Sequence, residues 1–272
     1  MFAHIIECFP EISSKEIYIE AFGGGASILF QKEASPVEIY NDLEKNVYSF
    51  FKVISDKKMF KEFKELCDLS YYSAALREEY REDLKDETID IVNRAYKYFY
   101  VNRSSVNGVG GFACTVNYVR RHMSKSISDF LSAIDGLRDA HERLSSVIIE
   151  NRDAIKLIQK YDREYVFFYL DPPYHHLTRT MARYKEDMDN AKQEEFIELL
   201  LSLKYAKVLL SGYRCKPYDI LTDNGWERRD FVINTQDGKR KPKTKTESLW
   251  LNYKPGNRST SNTKYLSMMK DF

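Results

Sequence analysis

The sequence has few cysteines and no pattern of a secreted or membrane protein. Its four cysteines are widely spaced, without a Cys-X-X-Cys pair, so neither a disulfide scaffold nor a cysteine metal site is expected. No apolar run approaches the ~20 residues that span a bilayer. The N-terminal string MFAHIIECFPE lacks the basic and long apolar regions of a signal peptide. We therefore expect a cytoplasmic protein with no metal centre and no membrane contact.

A strong excess of positive charge is also missing. The chain carries 42 Lys and Arg against 41 Asp and Glu, a formal net charge of +1. This balance disfavours a nucleic-acid binder that relies on overall charge, although local basic patches can still bind phosphate. The 272 residues are 43% hydrophobic, which is enough for one large core or for a core domain with an inserted subdomain.

The sequence does contain an alternation of strand and helix patterns. Helical spacing of apolar residues extends from Leu43 to about Cys67 and from Glu194 to Leu203. The predicted strands are residues 16–22, 36–40, 146–150, 165–170, 207–211, 226–233 and 248–253. This order predicts an α/β fold, with a mainly parallel sheet and helices on both faces. Such sheets bind their ligands at the carboxyl ends of the strands.

One segment does not follow the alternation. From about Asp68 to His141 the sequence is rich in tyrosine and charge, mostly helical in pattern, and broken by the string NGVGG. We predict a core domain of residues 1–55 and 142–256, an inserted subdomain of residues 56–141, and a C-terminal tail of residues 257–272.

Two motifs at predicted strand ends indicate a bound nucleotide. The string EAFGGG (20–25) ends a strand and opens a helix, which suits a ligand that approaches backbone N–H groups, although a tight turn explains it equally well. Asp42 follows the next strand about 20 residues later, where an acid can hold a ribose diol; the alternative is a helix N-cap. Together the two motifs favour a cofactor that contains adenosine.

A third motif, DPPY (171–174), follows a run of apolar residues. The Asp171 carboxylate and a carbonyl beside a proline can accept hydrogen bonds from the amino group of a flat base, and Tyr174 can stack on its ring. Pro172 and Pro173 would keep this geometry rigid. The alternative, a proline loop with a capping Asp, is less expected directly after a buried strand.

These motifs, in this order, resemble Dam-type DNA adenine-N6 methyltransferases. The resemblance includes YIEAFGGGAS, EIYNDLEKNVYSFFKVI, VNRSSVNGVGG, YLDPPY, VLLSGY and TESLWLNYKPG, and it extends from about Phe9 to Gly256. It implies the Rossmann-like class I methyltransferase fold, S-adenosylmethionine as the methyl donor, and double-stranded DNA as the substrate. It also implies that the target base is flipped out of the duplex.

The resemblance implies a role for each matching residue. Residues of the turn would surround the methionine part of the cofactor, Asp42 would bind the ribose, and Asp171 and the Pro172 carbonyl would accept from the target amino group. Asp153 is expected to contact the cofactor's adenine, although it could equally be a helix cap. The full cofactor set is Glu20, Ala21, Phe22, Gly23, Gly24, Gly25, Asp42, Asp153 and Asp171. The catalytic set is Asp171, Pro172, Pro173 and Tyr174.

The inserted subdomain would recognise the DNA target. Asn102, Arg103 and Asn107 match the family's recognition segment, and basic residues elsewhere are candidates for phosphate contacts. The basic string 239–245 could equally be the solvated tip of a hairpin. The remaining DNA candidates are Arg120, Arg121, Lys125, Arg179, Arg183, Lys239, Arg240 and Lys243.

Three alternatives remain open. The chain starts at Met1-Phe2-Ala3, about where the family's first helix begins, so we expect the family's N-terminal cofactor-covering segment to be missing. That departure supports a second reading, a weakly active or inactive DNA-binding protein with the same fold, but the intact Asp171 and Tyr174 favour the enzyme. A third reading, methylation of RNA or of a protein glutamine, ranks lower because those relatives usually carry Asn at the position of Asp171. The enzyme could act alone or with a cognate restriction nuclease.

Overall fold

The computed structural model describes residues 1–11, 13–108, 110–173, 189–236 and 242–256. Within these ranges the chain divides into two compact units. The α-helices are α1 (Phe2–Glu7), α2 (Ser27–Gln31), α3 (Lys45–Ser55), α4 (Lys57–Asp68), α5 (Ala74–Asp83), α6 (Ile91–Arg103), α7 (Lys125–Leu144), α8 (Ala154–Lys160), α9 (Asn190–Ser202) and α10 (Lys216–Asp223). The strands are β1 (Ile17–Glu20), β2 (Val37–Asn41), β3 (Val119–Arg120), β4 (Met123–Ser124), β5 (Val147–Glu150), β6 (Val166–Leu170), β7 (Lys207–Gly212), β8 (Glu227–Gln236) and β9 (Pro242–Leu251).

The first unit is built on a sheet. It contains residues Met1–Gly23, Lys32–Asn41 and the described chain from Arg152 onward. Its strands lie in the order β2-β1-β6-β7-β9-β8, and the first four are mutually parallel. The last two strands are antiparallel. The predicted α/β class with a mainly parallel sheet is therefore confirmed.

Both faces of this sheet are covered. The five residues of β6 are all buried, as a continuous apolar run predicts for a central parallel strand. Alternate residues such as Ile19 and Phe168 join a core with helices α8, α9 and α10. On the opposite face, Phe9 packs against Tyr18 and Phe167, with ring centroids 5.9 and 4.7 Å apart. Apolar side chains thus cover both faces of the sheet.

The closing hairpin is longer than the sequence predicts. Strands β8 and β9 are ten residues each, whereas the predicted strands were residues 226–233 and 248–253. The extension includes Pro242, which is tolerated because it is the first residue of its strand. Residues 237–241, which include three of the five basic residues of the string 239–245, lie outside the described residues.

The second unit is mainly helical. It contains residues Gly24–Gln31 and Asp42–Asn151. Aromatic side chains form its interior: Phe50 stacks on Phe99 at 6.0 Å with an interplanar angle of 7°, and Phe63 packs edge-on against both. Helices of this unit are amphipathic and bury this aromatic face. No helix in the described ranges combines the length and the apolar character needed to cross a membrane.

Two local features of the second unit differ from the prediction. The single helical pattern from Leu43 to Cys67 is two helices, α3 and α4, because Asp56 adopts an extended conformation and its carboxylate accepts from the N–H groups of Lys58 and Met59. The inserted segment also contains a short hairpin, β3–β4. Arg121 and His122 form its turn with φ values of 53° and 60°, the signs that a tight two-residue turn requires.

Candidate active site

The carboxyl end of β1 carries a buried acid and a glycine that permits close packing. Glu20 is 2% exposed, and the Tyr18 hydroxyl donates to its Oε1 at 2.6 Å. Burial, together with the Glu20 charge, raises the pKa of Tyr18 well above its usual value, so the phenol remains a donor. A Cβ at Gly23 would lie 2.1 Å from the Tyr40 ring, so only glycine fits there. Phe22, between them, packs edge-on against Phe196 at 5.7 Å.

The second unit holds the rest of the glycine turn and the predicted ribose acid. Gly24 has φ +47°, and its N–H donates to Asp42 Oδ2 at 2.8 Å. The other carboxylate oxygen accepts from the Glu44 N–H at 2.8 Å. The N-cap of α3 is Glu44, so the alternative reading of Asp42 as the cap is wrong. Asp42 and the turn are thus brought together as predicted.

Asn41 is a site residue whose role the sequence analysis missed. It is fully buried, and its amide Nδ2 donates to the carbonyls of Ala21 and Arg152 at 2.9 and 3.0 Å. Its Oδ1 accepts from the Arg152 N–H at 2.8 Å. Asn41 therefore fixes the backbone next to Asp153 against the end of β1. The signal in the sequence was an amide at the last position of a strand, directly before the predicted acid.

Asp153 caps a helix. It is the N-cap of α8, and its side chain accepts from the Lys156 N–H at 3.2 Å. The alternative reading of Asp153 as a cap is therefore confirmed. A cap that is half-buried at a strand-end edge can still contact a ligand, so the adenine contact stays a prediction.

The proline motif follows β6 at the same edge. Glu20 pairs with Tyr169 in the parallel register. Asp171 and Phe22 are each two residues beyond this pair, so they follow β6 and β1 at equivalent positions. Asp171 is exposed, whereas Pro172 is buried and Pro173 is half-buried. Burial is the main cause of the raised pKa of Tyr218, and the charge of Asp171 adds to it. Tyr174, the last residue of the motif, lies outside the described residues.

Gly25 completes the turn. It is half-buried, and Ala26 after it has φ 54°. Ala21, at the other end of the motif, is buried, and its carbonyl is the one that Asn41 binds. Of the predicted cofactor residues, Gly24, Gly25 and Asp42 lie in the second unit, and the others lie in the first.

Hydrogen bonds within the inserted segment stabilise the predicted recognition residues Asn102, Arg103 and Asn107. Asn102 Nδ2 donates to the Gly108 carbonyl at 3.5 Å, and Arg103 is half-buried in the last turn of α6. Asn107 lies in a short 3₁₀ turn, and its side chain is outside the description. Arg77, which the sequence analysis missed, is buried and donates to the Gly110 carbonyl at 2.6 Å.

The basic candidates near the β3–β4 hairpin are exposed. Arg120 donates to Asp129 at 3.2 Å, Lys125 also contacts Asp129, and Arg121 donates to Ser132 Oγ at 3.2 Å. These contacts are at the surface, where ion pairs contribute little to stability. Tyr118 beside them is 61% exposed.

The other basic candidates cannot be placed. Arg179, Arg183, Lys239 and Arg240 lie outside the described residues. Lys243 pairs with Thr235 in the β8–β9 register, but its side chain is not described. No group of three or more potential metal ligands occurs in the part of the chain that the structure describes.

The first unit thus has the parallel α/β sheet architecture whose ligands bind at the carboxyl ends of the strands. Residues 1–238 match the model of the D12 class N6 adenine-specific DNA methyltransferases, and the chain belongs to this family. It is thus an adenine-specific DNA methyltransferase, as the resemblance predicted.

No curated protein matches the chain. Among solved structures, the chain is similar to the methyltransferase domain of bacterial CtHen1-CN, with 8% identity and a TM-score of 0.34 over 87% of this chain and 89% of that one. The assignment of the family rests on the D12 match, and the fold class rests on the sheet.

Proposed function

We propose that the chain transfers a methyl group from S-adenosylmethionine to the N6 amino group of adenine at a specific site in double-stranded DNA. The observation that carries the proposal is the position of Asp171 and Pro172 at the strand-end edge, beside the residues that follow β1. Asp171 is exposed there and can reach a substrate. Ligands of parallel sheets bind at this edge.

The residues fit S-adenosylmethionine by their chemistry. A Cβ at Gly24 would meet nothing within 4 Å, so there is open space above the turn for a ligand. Asp42 supplies carboxylate oxygens to a ribose diol, and Glu20 supplies a carboxylate to an ammonium group. When bound, the cofactor supplies an electrophilic methyl group.

The protein residues hold the target amine for attack. The Asp171 carboxylate and the Pro172 carbonyl would each accept one N–H, which would orient the nitrogen lone pair away from these two acceptors and toward a bound methyl donor. With the methyl donor bound, the Asp171 carboxylate would accept the proton that the amino nitrogen loses on methylation, while the donor's sulfur would keep the electron pair of the broken C–S bond. Positioning and electrostatic stabilisation supply the catalysis, and no metal or histidine base is needed.

The target base has to leave the duplex, because its amino nitrogen is otherwise paired and stacked. Tyr174 would stack on the flipped base. We assign the exposed Arg120, Arg121 and Lys125 to DNA contacts, because the same residues were candidates from the sequence and their present partners are surface groups. Arg179, Arg183, Lys239, Arg240 and Lys243 stay candidates on their sequence alone. A cytoplasmic location and a cognate restriction nuclease as partner are consistent with this function and are part of the proposal.

The proposal is tested by methyl transfer from labelled S-adenosylmethionine to unmethylated genomic DNA, followed by nucleoside analysis. N6-methyladenine is the expected product, and mapping of the modified sites gives the recognition sequence. An Asp171→Ala variant should lower kcat on the order of 100-fold or more while cofactor affinity stays within a few-fold. DNA binding without any transfer by the wild-type chain would contradict the proposal and support the non-catalytic alternative.

A further inference from the structure

The two prolines of the motif can take part in backbone hydrogen bonds only through their carbonyl groups. Pro172 and Pro173 have no N–H, so neither can donate a hydrogen bond to the surrounding protein. In the proposed reaction the Pro172 carbonyl accepts from the target amine. The Pro173 carbonyl accepts instead from the protein, because Gln193 Nε2 donates to it at 3.4 Å.

A second contact orients the amide of Gln193. This residue lies in α9 and is 1% exposed, and its Oε1 accepts from the Tyr218 hydroxyl at 3.2 Å. An amide has one acceptor end and one donor end. Because the tyrosine donates to the oxygen, the NH₂ group faces Pro173; the flipped amide would place two carbonyl oxygens against each other.

Tyr218 itself is fixed. It lies in α10, is 2% exposed, and packs edge-on against Trp250 with ring centroids 5.2 Å apart. Burial raises its pKa, so the hydroxyl keeps its proton and remains a donor over the whole working range of pH. The contacts form one chain, from Tyr218 through Gln193 to the Pro173 carbonyl, inside the first unit.

We propose that Gln193 and Tyr218 are positioning residues for methyl transfer. They fix the carbonyl group of Pro173. This residue is bonded to Pro172, whose carbonyl is the proposed acceptor, on one side and to Tyr174 on the other. An acceptor displaced by a fraction of an ångström lets the amine rotate away from the line of attack, and such losses of alignment cost rate rather than cofactor affinity. This inference rests on the proposed function of Asp171 and Pro172.

The test uses Gln193→Met, which keeps the length of the side chain but cannot donate to Pro173. At saturating cofactor and DNA, kcat should fall about ten- to a hundredfold, while the Kd for S-adenosylmethionine stays within twofold. The matched control is Gln31→Met. Gln31 is also a buried glutamine, and it donates to a backbone carbonyl, that of Ser27, at 2.7 Å. This control should keep kcat within twofold.

A double-mutant cycle distinguishes positioning from general support of the core. Tyr218→Phe should lower kcat by less than Gln193→Met does. In Tyr218→Phe the Gln193 amide is still present, although it is free to flip. The double variant should be no slower than Gln193→Met alone, since both residues act through one contact. Additive losses in kcat would overturn the inference.

Two further results would also overturn it. Full kcat in Gln193→Met would show that the contact to Pro173 is dispensable, while the proposed function would stand. A fall in thermal stability that accounts for the lost activity would assign Gln193 a structural role. If the wild-type chain transfers no methyl group to DNA, the proposed function fails, and the inference fails with it.

Discussion

The hydrogen bond from Tyr18 to Glu20 is the shortest contact described at the end of β1, and it links a fully buried phenol to a predicted cofactor residue. The Tyr18 ring is covered by the Lys32 ammonium group, 4.1 Å from its centroid. Lys32 is in turn paired with Glu38 in the interior. The phenol therefore has little freedom to move, and it orients the Glu20 carboxylate.

Tyr18→Phe should weaken the binding of S-adenosylmethionine about tenfold, because a hydrogen bond to a charged group contributes roughly 1.5 kcal/mol. Isothermal titration with 5′-methylthioadenosine should show unchanged affinity, since that compound lacks the amino-acid group. Tyr253→Phe is the control: its hydroxyl donates to the Cys8 carbonyl at 2.8 Å instead of to Glu20. Equal losses for both ligands would contradict an orienting role for Tyr18.

Asp42→Ala should weaken the binding of both S-adenosylmethionine and 5′-methylthioadenosine. The ribose is common to S-adenosylmethionine and 5′-methylthioadenosine, so each Kd should rise by about 10–100-fold when the carboxylate is lost. Fluorescence or calorimetric titration of the two compounds checks this. The Gly24 N–H also loses its acceptor in this variant, so its melting temperature has to be compared with that of the wild type. Undiminished affinity would remove Asp42 from the site.

At the scale of elements, the strands of the sheet could be predicted and the hairpin of the inserted segment could not. A buried parallel strand is a continuous apolar run, as in residues 166–170, so its pattern is visible without tertiary information. The β3–β4 turn contains Arg121 and His122 instead of the Asn or Gly that identify such turns. The break at Asp56 was missed for a different reason: Asp is a preferred N-cap residue, but here it lies inside an apolar pattern that continues at helical spacing.

The candidate site was predictable only where its residues are close in sequence. The glycine turn and DPPY are local motifs. The Asn41 contact to Arg152 joins residues 111 positions apart, and the chain from Tyr218 to Pro173 joins three separate elements. Side chains that act through packed neighbours leave no local pattern, so sequence reasoning identified the acids but not the residues that hold them.

The β3–β4 hairpin gives a prediction about DNA affinity. Arg121→Ala should weaken binding to unrelated DNA sequences by similar factors, and the slope of log K against log salt should fall by about one. Arg138→Ala is the control, because Arg138 is an exposed arginine of the same unit, outside the hairpin. Filter binding or fluorescence anisotropy at several salt concentrations measures both. An unchanged slope in Arg121→Ala would mean that this side chain does not contact a phosphate.

At the scale of the whole molecule, Asp162 makes folding stability depend on pH. Its carboxylate accepts from the N–H groups of Lys204, Tyr205 and Ala206 at 2.9–3.0 Å, directly before β7. Burial alone would raise the pKa of Asp162, but these hydrogen bonds outweigh it, so the pKa lies below the usual 3.8. The stabilisation is therefore fully present above that value and is lost as the pH falls through the lower pKa of the folded state.

Asp162→Asn should lower the free energy of unfolding by roughly 1–3 kcal/mol at neutral pH. The difference from the wild type should shrink as the pH falls below 3.8, because the carboxyl of the unfolded chain then binds a proton, and it should vanish once the folded carboxyl also protonates at its lower pKa. Urea denaturation between pH 7 and pH 3 measures it. Asp139→Asn, at an exposed acid, is the control. A difference that stays constant with pH would show that the charge of Asp162 plays no part.

The packing of Tyr218 against Trp250 has an optical consequence. The chain has two tryptophans, Trp226 and Trp250, and both are buried in the first unit, whereas the second unit has none and carries many of the 20 tyrosines. Tryptophan emission therefore reports the folding of the sheet alone, while far-ultraviolet circular dichroism is weighted toward the helices of the other unit. If the two signals change at different denaturant concentrations, the two units unfold separately. The native sequence thus provides a probe for one half of the enzyme without any added label.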